Sequence, residues 1–122
     1  MDQSIAIDCL SALSQPTRLS AFRLLVAREP GGIPAGEIAR LLAVPQNTMS
    51  SHLSALAACG LVRRTRLSRQ IVYRADLGRF RAVLVFLLQD CCDGRPEICA
   101  PILDEIAPCC PPALASKEKP CA

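Results

Sequence analysis

Residues 45–75 read PQNTMSSHLSALAACGLVRRTRLSRQIVYRA, and a change of period inside this stretch decides the fold. From about Gln46 to Ala58 the apolar residues recur at helical spacing, and Gly60 stands just past the end, where a helix stop is expected. Met49, Leu53, Leu56 and Ala57 share one side of that helix; Asn47, Thr48, Ser51, Ser54 and Ala55 share the other. After Gly60 the period becomes extended. Leu61–Leu67 and Gln70–Ala75 read as two strands joined by a polar turn at Ser68-Arg69. The outward helix face is short, polar and uncharged, which suits hydrogen bonds to base edges in a major groove, though an ordinary solvated face has the same composition. The hairpin separates the two readings. Arg63, Arg64, Arg66, Arg69 and Arg74 put more cations on two short strands than a sign-mixed solvating surface carries. Contacts from such a wing to phosphates release counterions and supply affinity, while the helix supplies discrimination. The predicted surface for double-stranded DNA is Gln46, Asn47, Thr48, Ser50, Ser51 and His52 with Arg63, Arg64, Arg66 and Arg69. His52, the single histidine, falls between the two faces and is expected to pack on the second helix or bond a phosphate.

Upstream, Ile5, Ala6, Cys9, Leu10 and Leu13 form one apolar stripe on a first helix over residues 2–13. Ser14 precedes Gln15-Pro16 as a cap-like residue for a second helix, which runs through Leu19, Phe22, Leu25 and Val26 and stops at Pro30-Gly31-Gly32. A short third helix spans roughly Ala35–Leu42, before the Ala43-Val44-Pro45 turn. Downstream, a helix from Leu77 to about Cys92 carries a stripe of Leu77, Phe80, Leu84, Leu87, Leu88 and Cys91. Val83, Val85 and Phe86 spread apolar surface around the remainder. A helix apolar on nearly all sides must be covered on nearly all sides, which in so small a domain implies a second subunit. The expected fold is mainly α with a β-hairpin wing: a winged helix-turn-helix, paired as a homodimer through its first and last long helices. Residues 1–94 form the DNA-binding and dimerisation domain. Residues 95–122 form a cysteine- and proline-rich segment, with a short helix around Ile102–Ile106.

The chain has 122 residues, 51% hydrophobic and 20% charged, which fits one small domain and disfavours disorder. The longest apolar run, Ala82–Leu88, is far short of the ~20 residues a membrane helix needs. Asp2 and Asp8, with no basic leader, argue against a signal peptide, so the expected location is the cytoplasm. The net charge of +3 is unevenly placed: arginine dominates from Arg63 to Arg81, and acids dominate from Asp90 to Glu105. The middle of the chain suits a polyanion and the region after it does not. In a reducing compartment the eight cysteines point to soft-ion binding or redox sensing rather than structural disulfides.

Gln15-Pro16-Thr17-Arg18-Leu19, Glu37-Ile38-Ala39, Val44 through Ser50-Ser51-His52-Leu53, and Gly60-Leu61-Val62 through Tyr73-Arg74 resemble the ArsR/SmtB family over about residues 5–92. The resemblance implies a homodimeric repressor that sits on its own operator and leaves when a toxic metal or metalloid binds. Two ligand sets of that family are missing. Where its best-known arsenic repressors carry Cys-Val-Cys in the third helix, this chain reads Pro34-Ala35-Gly36, and its last helix has no histidine for a zinc site.

Cys91-Cys92 and Cys99 are the candidate ligands, with Gly94 and Pro96 able to turn the chain back between them. Three thiolates without a fourth donor suit trivalent arsenic or antimony, whereas zinc closes a tetrahedron. The trio also resembles arsenic repressors whose ligands lie at the C-terminal end of the dimerisation helix. Cys91 alone is equally a buried small hydrophobe. Cys109-Cys110 is a second vicinal pair, a candidate to recruit the ion, enlarge the site or bind a methylated arsenical. Cys9 and Cys59 read as structural and Cys121 as inert. The alternative signal is oxidation or persulfide, with Cys92–Cys99 as the bridge. A soft-metal carrier has no need of an arginine wing. No Cys-x-x-Cys motif points to a thiol enzyme, so no catalysis is expected.

Overall fold

A computed structural model describes residues 1–91, 100–102 and 105. The chain divides into two compact units, Met1–Phe86 and Leu87–Ala122, with the division inside the last long helix. In order, the elements are α1 (Gln3–Leu13), α2 (Pro16–Ala27), β1 (Ile33–Pro34), α3 (Ala35–Leu42), α4 (Gln46–Ala58), β2 (Val62–Leu67), β3 (Gln70–Ala75) and α5 (Leu77–Cys91). The winged helix-turn-helix plan is present, and its wing is a three-stranded antiparallel sheet in the order β1-β3-β2. The strand that periodicity does not predict is β1. Ile33 pairs with Tyr73 and Pro34 with Val72, and two residues are too few to show a period. Gly32 makes this pairing possible. Its φ is +81°, and a Cβ there would lie 2.8 Å from the Tyr73 carbonyl oxygen and 2.7 Å from Arg74 Cγ.

The core of the first unit comes from every helix: Leu25, Ile33, Ile38, Met49, Leu53, Leu56, Leu61 and Val83 are all buried. On α1 the expected stripe is split. Ala6, Cys9 and Ala12 face the core, while Ile5, Ile7 and Leu10 are exposed. A helix face that packs closely must present its small side chains, so the larger ones turn outward. On α2, Phe22 and Leu25 are buried but Leu19 is exposed. On α5 Val83 is buried, and Phe80 packs edge-on against Phe22 with ring centroids 5.1 Å apart, whereas Leu77, Leu84 and Val85 are exposed.

The helix ends differ in one place from expectation. Gln15, not Ser14, caps α2: its side-chain oxygen accepts from Arg18 N–H at 2.9 Å. Ser14 instead closes α1, its hydroxyl donating to the Ser11 carbonyl at 2.7 Å. Both helices of the helix-turn-helix end on a left-handed residue. At Gly60 (φ +88°), Gly60 N–H bonds the Ala57 carbonyl and Leu61 N–H bonds the Leu56 carbonyl. At Ala43 (φ 56°, ψ 46°), Ala43 N–H bonds Arg40 and Val44 N–H bonds Ala39 in the same pattern. Each satisfies two orphan carbonyls at the helix end. Residues 100–102 are helical, so helix begins before the position expected at Ile102. The boundary expected at 94/95 lies outside the described residues.

Candidate nucleic-acid interface

The turn at Ala43 swings α4 away from α3, and burial of Met49, Leu53 and Leu56 fixes its rotation. That rotation leaves Asn47, Thr48, Ser51 and Ser54 exposed, as helical periodicity predicts, together with Gln46 and Ser50, while Ala55 is half-buried. Asn47 Oδ1 accepts from the Thr48 N–H at 3.0 Å in the first turn. His52 is half-buried beside α2, and its Nδ1 accepts from Arg18 Nε at 3.2 Å. Of the roles expected for His52, packing on the second helix is the one present. With Nδ1 accepting, the proton of the neutral ring belongs on Nε2.

The wing sorts its arginines by face. Residues opposite each other on an antiparallel ladder lie on the same side of the sheet. Arg64 stands opposite Tyr73 and Arg66 opposite Ile71, whereas Arg63 stands opposite Arg74 on the reverse side. Tyr73 and Ile71 border a hollow of about 520 Å³ that Gln46 and Ser50 of α4, and Arg69 and Gln70 at the hairpin tip, also line. The start of α4 and the tip of the wing thus share one concavity, with Arg64 and Arg66 on the sheet face that borders it. Gly36 on α3 lies beside the Gln46 amide, and a Cβ there would meet it at 3.7 Å, an ordinary van der Waals contact.

Arg63 and Arg74 have partners of their own. Arg63 Nε donates to Asp76 Oδ2 at 2.9 Å, and Arg74 donates to both oxygens of Glu29 at 2.8 and 3.2 Å. Two of the five wing arginines are thus neutralised by acids from outside the strands, and the excess of cations rests on the other three. Among the described residues the ion pairs are Arg40–Glu37, Arg63–Asp76 and Arg74–Glu29, so Arg64, Arg66 and Arg69 have no acidic partner there. Glu29's carboxyl is held below its usual range, chiefly by the Arg74 hydrogen bond. Burial would raise the Asp76 carboxyl, but hydrogen bonds from Arg79 N–H and Arg63 outweigh it and hold it low.

Cys91 is the last residue of α5. Cys92, Cys99, Cys109 and Cys110 lie outside the described residues. Among the described residues, no three or more His, Cys, Asp and Glu side chains are grouped so as to hold a metal ion. Cys9 is fully buried, as its stripe predicts, and touches Cys59, a proximity that the sequence does not signal.

Residues 13–65 match the family model of a helix-turn-helix domain, HTH_20. An ArsR-like transcriptional regulator from Rhodococcus sp. RHA1 superimposes with a TM-score of 0.68 at 27% identity, over 86% of this chain and 94% of that one. The chain has the winged helix-turn-helix fold of ArsR-like regulators. This ArsR-like chain is also similar to Mb0332 from Mycobacterium bovis, described as a homodimeric winged helix-turn-helix DNA-binding domain of a possible ArsR-family regulator. The TM-score there is 0.60 at 27% identity, over 72% of this chain and 81% of that one. The HTH-type transcriptional regulator CmtR of Mycobacterium bovis is 42% identical over 62 residues, 51% of this chain and 50% of that protein. The match to the curated relatives thus spans about half their length. Among the described residues no helix is long and apolar enough to cross a membrane.

Proposed function

We propose that this ArsR-like protein is a transcriptional repressor that grips operator DNA as a homodimer and lets go when trivalent arsenic or antimony binds Cys91, Cys92 and Cys99. The observation that carries the DNA reading is the shared concavity: the polar start of α4 and the tip of the wing border one hollow, whose one acid, Glu37, is paired with Arg40, and Arg64, Arg66 and Arg69 have no ion-pair partner among the described residues. Base edges meet Gln46, Asn47, Thr48, Ser50 and Ser51, and phosphates meet the arginines. The His52 Nε2–H, fixed by Arg18 on the other nitrogen, is a further donor to a phosphate oxygen.

Exposed apolar side chains support the dimer. Ile7 and Leu10 on α1, at 54% and 41% exposure, and Leu84 and Val85 on α5, at 42% and 50%, need a cover that a second copy supplies. In such a dimer the two α4 helices address successive major grooves, ~34 Å apart.

The inducer reading rests on donor chemistry. Vicinal thiols at the end of α5, with a third across Gly94 and Pro96, offer three soft donors and suit a three-coordinate ion or a methylated arsenical. Cys109 and Cys110 are the candidates to extend the set. A coupling of ~1–3 kcal/mol, or ~5–150-fold in operator affinity, is the usual scale of such linkage. The test is fluorescence anisotropy of an operator complex titrated with arsenite, for wild type and Cys99→Ser. Release of the wild type alone supports the trio, and equal release of both removes Cys99 from it. Release by peroxide or polysulfide without arsenite assigns the signal to thiol oxidation instead.

A further inference from the structure

Cys9 and Cys59 are 50 positions apart in the chain and adjoin in space, between α1 and the end of α4. The Cys9 thiol donates to the Cys59 carbonyl oxygen at 3.3 Å. The Cys59 thiol donates to the Leu56 carbonyl at 3.3 Å. Both are free thiols.

The two sulfurs differ in access. Cys9 is 0% exposed, and burial, reinforced by Cys59, pushes its thiol up to about 11. Cys59 is half-buried and borders a hollow of about 290 Å³, with Asp8 and Ala12 of α1 and Arg18 of α2 also on its wall. An approachable sulfur is therefore backed by a shielded one. Two adjoining thiols fall short of the donors that a zinc site closes around, but they satisfy the sequence of attack and resolution by which a disulfide forms.

We propose that Cys9 and Cys59 form an intramolecular disulfide when the protein meets a peroxide, tying α1 to the C-terminal end of α4. The Cys59 sulfur, as thiolate, attacks the O–O bond; that bond breaks, hydroxide leaves and takes up a proton, and Cys59 becomes a sulfenic acid. The Cys9 sulfur gives up its proton and attacks the Cys59 sulfur, the S–O bond breaks, and a second water leaves. Two thiols lose two electrons, and one hydrogen peroxide is reduced to two waters. The order follows from access and from the small thiolate fraction of Cys9. The step involves neither the DNA-facing surface nor the Cys91, Cys92 and Cys99 trio, so it stands apart from the proposed function.

The experiment uses the full chain with Cys91, Cys92, Cys99, Cys109, Cys110 and Cys121 changed to Ser, so that only this pair remains. After hydrogen peroxide treatment and alkylation, intact mass should show loss of two hydrogens and no alkyl groups, reversed by dithiothreitol. Digestion should yield a peptide linked through Cys9 and Cys59, and the melting temperature should rise by at least ~5 °C. Adding Cys9→Ala should replace the loss of hydrogen by a gain of oxygen on Cys59. The linked peptide is sought in oxidised wild type as well, which keeps the test valid if the sixfold variant does not fold. Two thiols that stay open to alkylation, cross-links found only between chains, or oxygen gained on Cys59 while Cys9 is present would each overturn the proposal.

Discussion

Arg63 and Arg74 stand directly opposite one another across the β2–β3 ladder, and each is held by its own acid, Asp76 and Glu29. Like charges facing across a ladder destabilise it, so these acids are part of what lets the hairpin pair in register. Asp76 also accepts from Arg79 N–H at 3.0 Å, capping the first turn of α5. Asp76→Ala should therefore lower stability by about 1 kcal/mol from the lost cap alone. Arg63→Gln should cost less, because its side chain is 75% exposed and the pair is screened. Thermal melts of the two variants check the order.

Acid should weaken the same region. The Asp76 and Glu29 carboxyls are both held low in the folded protein, so the stability they contribute is present above their unfolded values, ~4. It is lost as pH falls through the lower folded values. Stability measured by denaturant titration should decline below about pH 4, and the decline should be shallower in a Glu29→Gln, Asp76→Asn double variant.

Face assignment separates the arginines in DNA binding. Arg64→Ala, Arg66→Ala and Arg69→Ala should each weaken binding across all sequences and flatten the salt dependence by about 0.9 for each phosphate left without its cation. Arg63→Ala should leave that slope unchanged, since it lies on the reverse side of the sheet against Asp76. Anisotropy over a range of salt concentrations decides between the two classes.

The polar face of α4 should act on discrimination rather than bulk affinity. Gln46→Ala and Ser50→Ala, both lining the hollow, should narrow the gap between operator and scrambled DNA by ~1–3 kcal/mol for each base edge no longer read. Competition binding against scrambled duplex measures that gap directly.

Two backbone positions should respond with opposite signs. Ala43 holds a left-handed conformation, so Ala43→Gly should relieve strain and gain about 0.5 kcal/mol after the entropy cost. At Gly32 a Cβ would fall 2.8 Å from the Tyr73 carbonyl oxygen, so Gly32→Ala should destabilise by more than ~2 kcal/mol and unpair β1. Calorimetry on both variants tests the prediction.

The rotation of α4 is legible in the sequence because one narrow apolar stripe, Met49, Leu53 and Leu56, leaves a single way to bury it. On α1 the apolar arc is wide, and periodicity cannot say which edge meets the core; the small size of Ala6, Cys9 and Ala12 decides that only once α2 and α4 are in place. A run of arginines is visible in sequence, but the acid that neutralises Arg74 comes from Glu29, 45 positions away. β1 lacks the length to carry an alternation, and the neighbouring cysteines Cys9 and Cys59 share no local motif. What escapes the sequence is in each case a contact between distant segments.

Leu61 is anchored on both sides of its own residue. Its N–H bonds the Leu56 carbonyl at 3.1 Å, and its carbonyl accepts from Asp76 N–H at 2.8 Å, immediately before α5. A single residue therefore hinges the exit of α4 to the entrance of α5. The entrance of α5 is thereby joined to the end of the reading helix through a short path of main-chain hydrogen bonds.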